Sequence, residues 1–321
     1  MARPVLGPAA GARPAGSPRP AGGLLVVGDV VTDIVARHRK PLAPGTDTAA
    51  AIRAVPGGAG ANVACWAAHW GCPDVRLLGR VGADSVAWHE AALTRAGVRS
   101  RLVVDPEEPT GTVICLVDGG AGAERTFLTD SGASLRLSPD DWAPELLDGV
   151  AWLHLSGYLF FAESSRAVAA AAMAEARARG VPVSVDPASV GFLRDLGVER
   201  FLAAVEGVSV LVPSRGEAEL LAGVVGAASL ADSAVALSRR FSLVVVTAGV
   251  EGAVVARGGA VVGRVPSVGV CARDTTGAGD AFTGAFVASR ILGVGVVGAV
   301  GEGCRAGAVA VGRVGGRPPE S

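Results

Sequence analysis

Short apolar runs recur along the chain and predict buried strands. The run "LLVVG" begins at Leu24, and five similar runs follow it: "VRLLGRVG", "AWLHLS", "VPVSVDP", "VSVLVPS" and "SLVVVTAG". A run of about four to eight residues that is mostly apolar and ends at a small or polar residue is typical of a strand buried on both faces. These runs predict a mostly parallel central sheet.

Segments with helical composition lie between several of these runs. Three of them, "ANVACWAAHWG", "DSVAWHEAALTRAG" and "SSRAVAAAAMAEARARG", end at a glycine, which is a common helix stop: Gly71, Gly97 and Gly180. The second segment offers Asp84 or Ser85 as its N-cap, and the third offers Ser164 or Ser165. A further helix is expected from about Gly279. This alternation predicts an α/β fold in which helices cover both faces of the sheet.

Two segments break the alternation and predict a small lid. The segments from about 35 to 55 and from about 110 to 129 contain "GTVICLVDGG" and "ERTFLTD", whose partly polar patterns suit antiparallel strands exposed on one face. We expect these strands to form a β-sheet over the main sheet. The weak alternation of "TVICLV" suggests that a second copy of the chain covers the lid, which would make the protein a homodimer.

Composition limits the organisation and the partners of the chain. The 321 residues are 50% hydrophobic and carry a net charge of −1, which suits a large core and gives no reason to expect nucleic acid or a membrane surface as partner. Prolines interrupt the first 22 residues, so we expect a disordered leader at 1–22, one domain at 23–316 with the lid inserted, and a tail at 317–321. Five scattered cysteines without a CxxC pair suggest a cytoplasmic protein with reduced thiols.

Polar residues that follow the predicted strands are candidates for ligand contacts, because open α/β sheets bind ligands beyond the carboxyl ends of their strands. Asp29 and Asp33 follow the first strand and either bind hydroxyl groups or belong to an Asp-rich turn. Asn62, in "PGGAGANVA", either contacts vicinal hydroxyls or follows a purely structural glycine turn. Glu217, in "VPSRGEAELL", either orients metal-bound water or is an ordinary first-turn glutamate.

The stretch "DTTGAGDAFTGAF" combines an anion site with a base. Gly277, Ala278 and Gly279 can present N–H groups to a phosphoryl oxygen, and Asp280 lies close enough in sequence to take a proton from an attacking hydroxyl. The alternative is a helix cap, which does not call for Gly-Ala-Gly before the aspartate. A lysine-dependent Walker A loop is excluded, because Lys40 is the only lysine and lies outside any glycine loop.

Two of these stretches resemble the signatures of a known family. "DTTGAGDAFTGAF" is similar to the C-terminal signature of the PfkB family of carbohydrate kinases, and "PGGAGANVA" is similar to its N-terminal glycine signature. "RVGADSVA", "VPSRGE" and "VTAGVEGAVV" follow in the family's order, so the resemblance covers about residues 24 to 315. It implies a ribokinase-like three-layer α/β/α sandwich with a small β-strand lid, and transfer of the γ-phosphoryl group of ATP, with Mg²⁺, to a hydroxyl of a sugar or sugar acid.

The resemblance also implies roles for individual residues. Asp280 becomes the general base and 277–279 the anion hole, while Glu217 organises Mg²⁺ through water. The remaining implied contacts are acceptor binding by Asp33, Gly57, Gly58 and Asn62, nucleotide binding by Thr247, Gly249 and Gly252, and a monovalent cation such as K⁺ at Asp274 and the backbone around Thr276.

The acceptor is left open by departures from the family pattern. Ser214 stands where the family commonly has asparagine, Ser156 stands where ribokinases usually have glutamate, and Cys304 stands where they often have asparagine. Arg125 either reaches an anionic or hydroxyl-rich acceptor such as a sugar acid or is a solvated strand arginine, and His154 is expected in the core. A nucleoside kinase and a non-catalytic sugar- or nucleotide-binding protein are the alternatives.

Overall fold

A computed structural model describes residues 22–118, 125–223, 229–270 and 273–319. Apart from Gly22, the predicted leader lies outside the described residues. The strands are β1 Gly23–Val27, β2 Val31–His38, β3 Ala50–Gly57, β4 Val75–Gly82, β5 Val98–Asp105, β6 Thr110–Asp118, β7 Arg125–Gly132, β8 Val150–Ser156, β9 Val183–Asp186, β10 Val210–Leu211, β11 Leu243–Thr247, β12 Ala253–Arg257 and β13 Ala260–Val265. The α-helices are α1 Ala59–His69, α2 Val86–Arg95, α3 Glu163–Ala178, α4 Val190–Leu196, α5 Val198–Ala204, α6 Arg215–Ala222, α7 Leu230–Leu237, α8 Ala278–Ile291 and α9 Val296–Val311.

Nine strands of the described chain form the main sheet, in the order β13-β12-β11-β10-β9-β8-β1-β4-β5. The seven strands from β11 to β5 run parallel, and the β12–β13 hairpin closes one edge in antiparallel pairing. The apolar runs predicted as parallel strands account for β1, β4, β8, β9, β10 and β11. The predicted mostly parallel sheet is therefore confirmed.

Two hydrophobic cores lie on opposite faces of this sheet. Along β1, Leu24 and Val26 belong to one core, while Leu25 and Val27 belong to the other, as the alternation of side chains in a strand requires. The first core includes residues of α1, α2, α8 and α9, and the second includes residues of α3 to α7. All five residues of β1 are buried, which explains why its sequence is apolar without a polar alternation.

The helix ends follow the sequence prediction more closely than the helix starts. Gly71, Gly97 and Gly180 come shortly after α1, α2 and α3, each with a positive φ. Ser85 stands at the N-cap of α2 as predicted, although its side chain makes no capping hydrogen bond. The serine caps predicted for α3 are wrong, because that helix begins at Glu163 after Ala162 and has no capping hydrogen bond from a side chain. Ser164 and Ser165 instead donate to carbonyl oxygens of Leu135 and Leu159, because tertiary partners compete with the helix end for their hydroxyl groups.

The lid is a four-stranded sheet in the order β3-β2-β6-β7. Its outer pairs are antiparallel as predicted, but the central pair, β2 with β6, is parallel. The reason is connectivity: β2 follows β1 and β6 follows β5 after only a few residues, and β1 and β5 run in the same direction in the main sheet. The lid strands begin at Val31, earlier than the expected residue 35, so Asp33 belongs to the lid.

Two further observations concern the described residues as a whole. A membrane-spanning helix is not found among them, because none is both long and apolar enough. Within the described ranges, Cys65, Cys72 and Cys304 are free thiols.

Candidate active site

A cavity of about 520 Å³ lies between the carboxyl ends of the parallel strands and the inner face of the lid. Most of the candidate residues from the sequence line it together: Asp33, Gly58, Asn62, Glu217, Thr247, Gly277, Ala278, Gly279 and Asp280. The lid contributes residues of β2, β6 and β7. The main domain contributes the carboxyl ends of β8, β9 and β11, the segment after β10 and the starts of α1 and α8. The site therefore combines residues from both sheets.

Four of the predicted residues do not line this cavity: Gly57, Gly249, Gly252 and Asp274. Gly57 faces Asp33 so closely that a Cβ would lie 2.3 Å from its carboxylate carbon, so the glycine makes room for the aspartate. Arg125 begins β7, where its backbone pairs with Val117, and its side chain lies outside the described residues.

Asp280 is held at the start of α8 by a hydrogen bond from another helix. The Asn62 side-chain amide in α1 donates to Asp280 Oδ2 at 2.8 Å. Loss of hydration raises the pKa of Asp280 to about 7; the hydrogen bond from Asn62 opposes this shift, and the negative charges of Asp29 and Asp33 add to it. A carboxyl group with a pKa near neutrality is well matched to general base catalysis.

The N-terminus of α8 is open toward the cavity. Gly277 precedes the helix with φ +71°, and Ala278 is the first helical residue, one position before the expected start. The first N–H groups of a helix have no acceptor within it and carry a partial positive charge, so they favour an anion. A Cβ on Gly279 would meet nothing within 4 Å, so there is room for a ligand to approach these amides.

Asp33 and Asn62 present oxygen atoms to the cavity that can accept hydrogen bonds from a ligand. Burial raises the pKa of Asp33 to about 7, while the charge of Arg317 opposes the shift and those of Asp29 and Asp274 add to it. Asn62 Oδ1 is buried and has no hydrogen-bond partner among the described residues. A buried polar atom without a partner is costly, so this oxygen is suited to accept a hydrogen bond from a bound hydroxyl.

Asp29 has a structural role in the described chain. Its carboxylate accepts the N–H groups of Ala59 at 2.7 Å and Gly60 at 3.1 Å, and the Ser156 hydroxyl donates to it at 2.7 Å. These bonds satisfy the first amides of α1, which makes Asp29 a helix cap supplied from a distant part of the sequence. Asp29 also lines the cavity, and a cap from a distant part of the chain is a role that neither of the two alternatives from the sequence described.

Two carboxylates next to Asp280 can provide oxygen ligands for Mg²⁺. Glu217 accepts the Ser214 N–H at 2.8 Å in a capping box, as an ordinary first-turn glutamate does, and it also lines the cavity. Burial raises the pKa of Asp186 well above its usual range, and the charges of Glu217 and Asp280 add to the shift. Asp186 was not a candidate from the sequence, although its position at the end of "VPVSVD" could have identified it.

This arrangement fits a magnesium ion whose ligands are mainly water and substrate phosphates rather than protein side chains. Within the described ranges no three Asp, Glu, His or Cys side chains form a group that could hold a metal ion. Mg²⁺ is commonly bound by one or two carboxylates together with water and substrate phosphates. Glu217 and Asp186 would therefore hold it only in part, and its positive charge would offset their mutual repulsion.

Two glycines shape the turn beside Thr247. In this turn, the Ala248 N–H donates to the Gly252 carbonyl at 2.8 Å, and Gly249 and Gly252 adopt φ values of +53° and +88°. A Cβ at Gly252 would lie 2.0 Å from the Val265 carbonyl oxygen, so only glycine fits there. The tight turn leaves Thr247 at the cavity wall, next to the expected nucleotide region.

Asp274 fixes the loop that leads into α8. Its two carboxylate oxygens accept the N–H of Thr276 at 2.9 Å and the N–H of Gly315 at 3.0 Å. The loop before the anion site is thereby tied to the C-terminal part of the chain. A monovalent cation at this loop stays a prediction.

The cavity also has an aromatic wall that the sequence pattern did not indicate. Phe127 from the lid and Tyr158 and Phe192 from the main domain line it, and the Tyr158 and Phe192 rings make an edge contact with centroids 5.7 Å apart. His154 is buried as expected, hydrogen-bonded to Ser184, and burial lowers its pKa to about 3, so it is uncharged. The described lining contains neither lysine nor arginine.

Comparison with known proteins gives a consistent assignment. A sequence model described as "pfkB family carbohydrate kinase" matches residues 22–321. A fructokinase from Klebsiella pneumoniae is 31% identical over 279 residues, which cover 83% of this chain and 84% of that protein. These matches confirm the family resemblance recognised from the two glycine-containing signatures.

Solved structures confirm the ribokinase-like fold. An adenosine kinase from Sinorhizobium meliloti superposes with a TM-score of 0.83 at 22% identity, covering 93% of this chain and 96% of that one. A putative ribokinase II from E. coli in complex with ATP and Mg²⁺ superposes with a TM-score of 0.80 at 24% identity, covering 94% and 96%. Because the family model matches residues 22–321 and the fructokinase match spans most of both chains, the chain belongs to the pfkB family of carbohydrate kinases.

Proposed function

We propose that this protein is an ATP-dependent sugar kinase that transfers the γ-phosphoryl group to a hydroxyl of a sugar, with Asp280 as general base. The observation that carries the proposal is the hydrogen bond from Asn62 to Asp280 beside the open N-terminus of α8. This hydrogen bond places Asn62, which is suited to bind the acceptor hydroxyl, next to a base that can deprotonate that hydroxyl. The anion site at the start of α8 lines the same cavity.

Each group has a defined task in this reaction. The bound nucleotide, with Mg²⁺, supplies the phosphoryl group. Asp33 and Asn62 orient the acceptor, and Asp280 takes the proton from the attacking hydroxyl. The amides at residues 277–279 stabilise negative charge on the phosphoryl oxygens, and Glu217 and Asp186 provide carboxylate oxygens for the metal ion.

The lining favours an uncharged acceptor over a sugar acid. The described lining residues have no lysine or arginine side chain that would pair with a carboxylate, and burying an unpaired carboxylate is costly. A nucleoside is the second candidate, because Phe127, Tyr158 and Phe192 offer aromatic surface on which a base could pack. The Klebsiella fructokinase and the Sinorhizobium adenosine kinase represent these two acceptor classes.

Phosphorus NMR tests the proposal with several classes of acceptor in parallel. The protein is incubated with ATP, Mg²⁺ and K⁺ and with pools of neutral sugars, sugar acids or nucleosides. We expect a new phosphomonoester resonance with the neutral sugars, and omitting K⁺ from the same pool tests the proposed monovalent site. A resonance in the nucleoside pool alone would support the second candidate. Measurable ATP binding with no new resonance in any pool would contradict a kinase and support a binding protein.

Activity and stability are expected to depend on pH in opposite directions. Asp280 must be ionised to accept a proton, so kcat/KM for the acceptor should rise as the pH passes through about 7. The usual pKa of 3.8 applies to the unfolded chain, so the stability provided by the uncharged carboxyl group is complete below about pH 4 and declines toward pH 7. Rate profiles and urea unfolding across this range measure both. A pH-independent kcat/KM would contradict the assignment of the base.

We also propose that the chain forms a homodimer through the outer face of the lid. Ile34, Ile52, Ile114 and Leu128 lie on the lid face opposite Asp33, and Ile52 and Leu128 are 65% and 54% exposed. Apolar side chains at this density on a sheet face suit a protein interface. Sedimentation equilibrium should give twice the chain mass of 31.9 kDa, and Leu128→Lys should give one chain mass. A monomeric wild-type protein at high concentration would contradict the proposal.

A further inference from the structure

Arg317 reaches back across the chain to the turn before α1. Its guanidinium group donates to the carbonyl oxygens of Pro56 at 3.3 Å, Gly57 at 3.1 Å and Ala61 at 3.3 Å. It also contacts the sulfur of Cys65. These groups belong to the glycine turn and the first turns of α1, which carry Gly58 and Asn62 into the cavity. One side chain therefore holds several backbone groups of the acceptor side at once.

The residues before Arg317 fit closely between the two halves of the site. The Trp66 indole donates to the Gly316 carbonyl at 2.8 Å, and the Gly315 N–H donates to Asp274. A Cβ on Gly277 would lie 2.4 Å from Gly316 Cα, and a Cβ on Gly316 would lie 2.4 Å from the side-chain nitrogen Nδ2 of Asn62. We call residues 315–317 the C-terminal strap. It lies against both the acceptor turn and the turn before α8.

Arg317 also brings a positive charge to a strongly acidic region. Its charge opposes the rise in the pKa values of Asp33 and Asp280, which burial and the neighbouring carboxylates cause. His89 nearby is uncharged, since burial and Arg317 lower its pKa to about 4. The guanidinium is a cation with five donors in a fixed plane, so it can bridge several carbonyl oxygens in a way that an ammonium cannot.

We propose that Arg317 is a positioning residue that holds the acceptor turn, residues 56–61, in the geometry in which Asn62 meets both the acceptor and Asp280. This inference rests on the proposed kinase function for its kinetic consequences but not for its structural ones. The structural support is the set of carbonyl contacts and the close fit of the strap. The acceptor side of the site should therefore depend on Arg317 more strongly than the nucleotide side.

Steady-state kinetics separate positioning from general stability. Arg317→Met removes the donors and keeps an extended side chain, while Arg317→Lys restores a charge without the planar fork. We expect Arg317→Met to raise the KM for the acceptor roughly tenfold or more, with Arg317→Lys in between. The KM for ATP should change by less than about twofold. Arg313→Met, at an exposed arginine just before the strap, is the matched control and should match the wild type.

Amide hydrogen exchange tests the structural part without any turnover. In Arg317→Met the amides of residues 57–62 should exchange faster than in the wild type, while those of α9 should stay protected. If Arg317→Met fails to fold, which loss of protection in α9 would reveal, the same comparison is made with Arg317→Lys. Unchanged exchange at 57–62 in the folded variant would overturn the proposal, as would equal increases in both KM values. Faster exchange without phosphorylation of any acceptor by the wild type would contradict the kinase function alone.

Discussion

Replacing Asp280 with asparagine should lower kcat by a factor of about 10² to 10⁴. Asparagine has nearly the same size, and its carbonyl oxygen can still accept the hydrogen bond from the Asn62 amide. It cannot take a proton from the acceptor hydroxyl at neutral pH. The change therefore removes the chemical function of the residue and keeps its place at the start of α8.

The same variant should bind ATP and remain folded. Ionised Asp280 is destabilising in the folded protein, because its pKa is raised to about 7, so Asp280→Asn should be more resistant to urea than the wild type above that pH. Asp195→Asn, at an exposed aspartate in α4, is the matched control for both kcat and unfolding. An Asp280→Asn protein that keeps its kcat to within about tenfold would show that another group accepts the proton.

Replacing Gly284 with valine should lower the free energy of unfolding by about 3 kcal/mol. Gly284 lies where α8 packs against α1, and a Cβ there would be 2.6 Å from the Val63 carbonyl oxygen and 2.7 Å from Trp66 Cβ. The obstacle is mainly backbone of α1, which cannot rotate away as a flexible side chain can. The helices must separate, and the core between them loses close packing.

Urea unfolding with a second glycine as control measures this effect. Gly301 lies inside α9, where a Cβ would meet nothing within 4 Å, so Gly301→Ala should raise the free energy of unfolding by about 0.5 to 1 kcal/mol. Gly284→Ala should still destabilise, because its single methyl group already meets the α1 backbone. If Gly284→Val unfolded at the wild-type urea concentration, the close crossing of α1 and α8 would be wrong.

The crossing of these helices also sets the geometry of the site. Asn62 is in α1 and Asp280 is in α8, and their side chains meet at 2.8 Å. A wider spacing of the helices would separate the base from the group that orients it. For this reason a folded Gly284→Ala protein is expected to lose part of its kcat as well as part of its stability.

The sequence is most informative where local pattern and chemistry coincide. The apolar runs predict most of the parallel strands, and the Gly-Ala-Gly-Asp stretch by itself indicates an anion site with a neighbouring base. Both features are complete within a few consecutive residues. Pattern alone does not separate Asp29 from Asp33, since both follow β1 closely. The difference lies in partners 30 and 127 residues away, where Asp29 caps α1 and binds Ser156.

Residues whose role depends on distant contacts could not be predicted. Arg317 falls in the expected tail, yet it contacts carbonyl groups about 260 residues earlier in the chain. Local preference predicts that Ser164 or Ser165 caps α3, but the hydroxyl groups of both residues donate to carbonyl oxygens outside the helix. The parallel pairing of β2 with β6 follows from the directions of β1 and β5, which no pattern within the lid segments contains.

Because the site is divided between two sheets, its geometry depends on the position of the lid relative to the main domain. Asp33 is carried by β2, which leaves the main sheet through residues 28–30, while Asp280 is carried by α8 on the main domain. Any displacement of the lid relative to the main domain changes the separation of the two carboxylates. Lys40, the only lysine, is exposed just beyond the far end of β2. Lys40 is therefore the one side chain through which an amine-reactive dye would mark the lid in the unmutated protein.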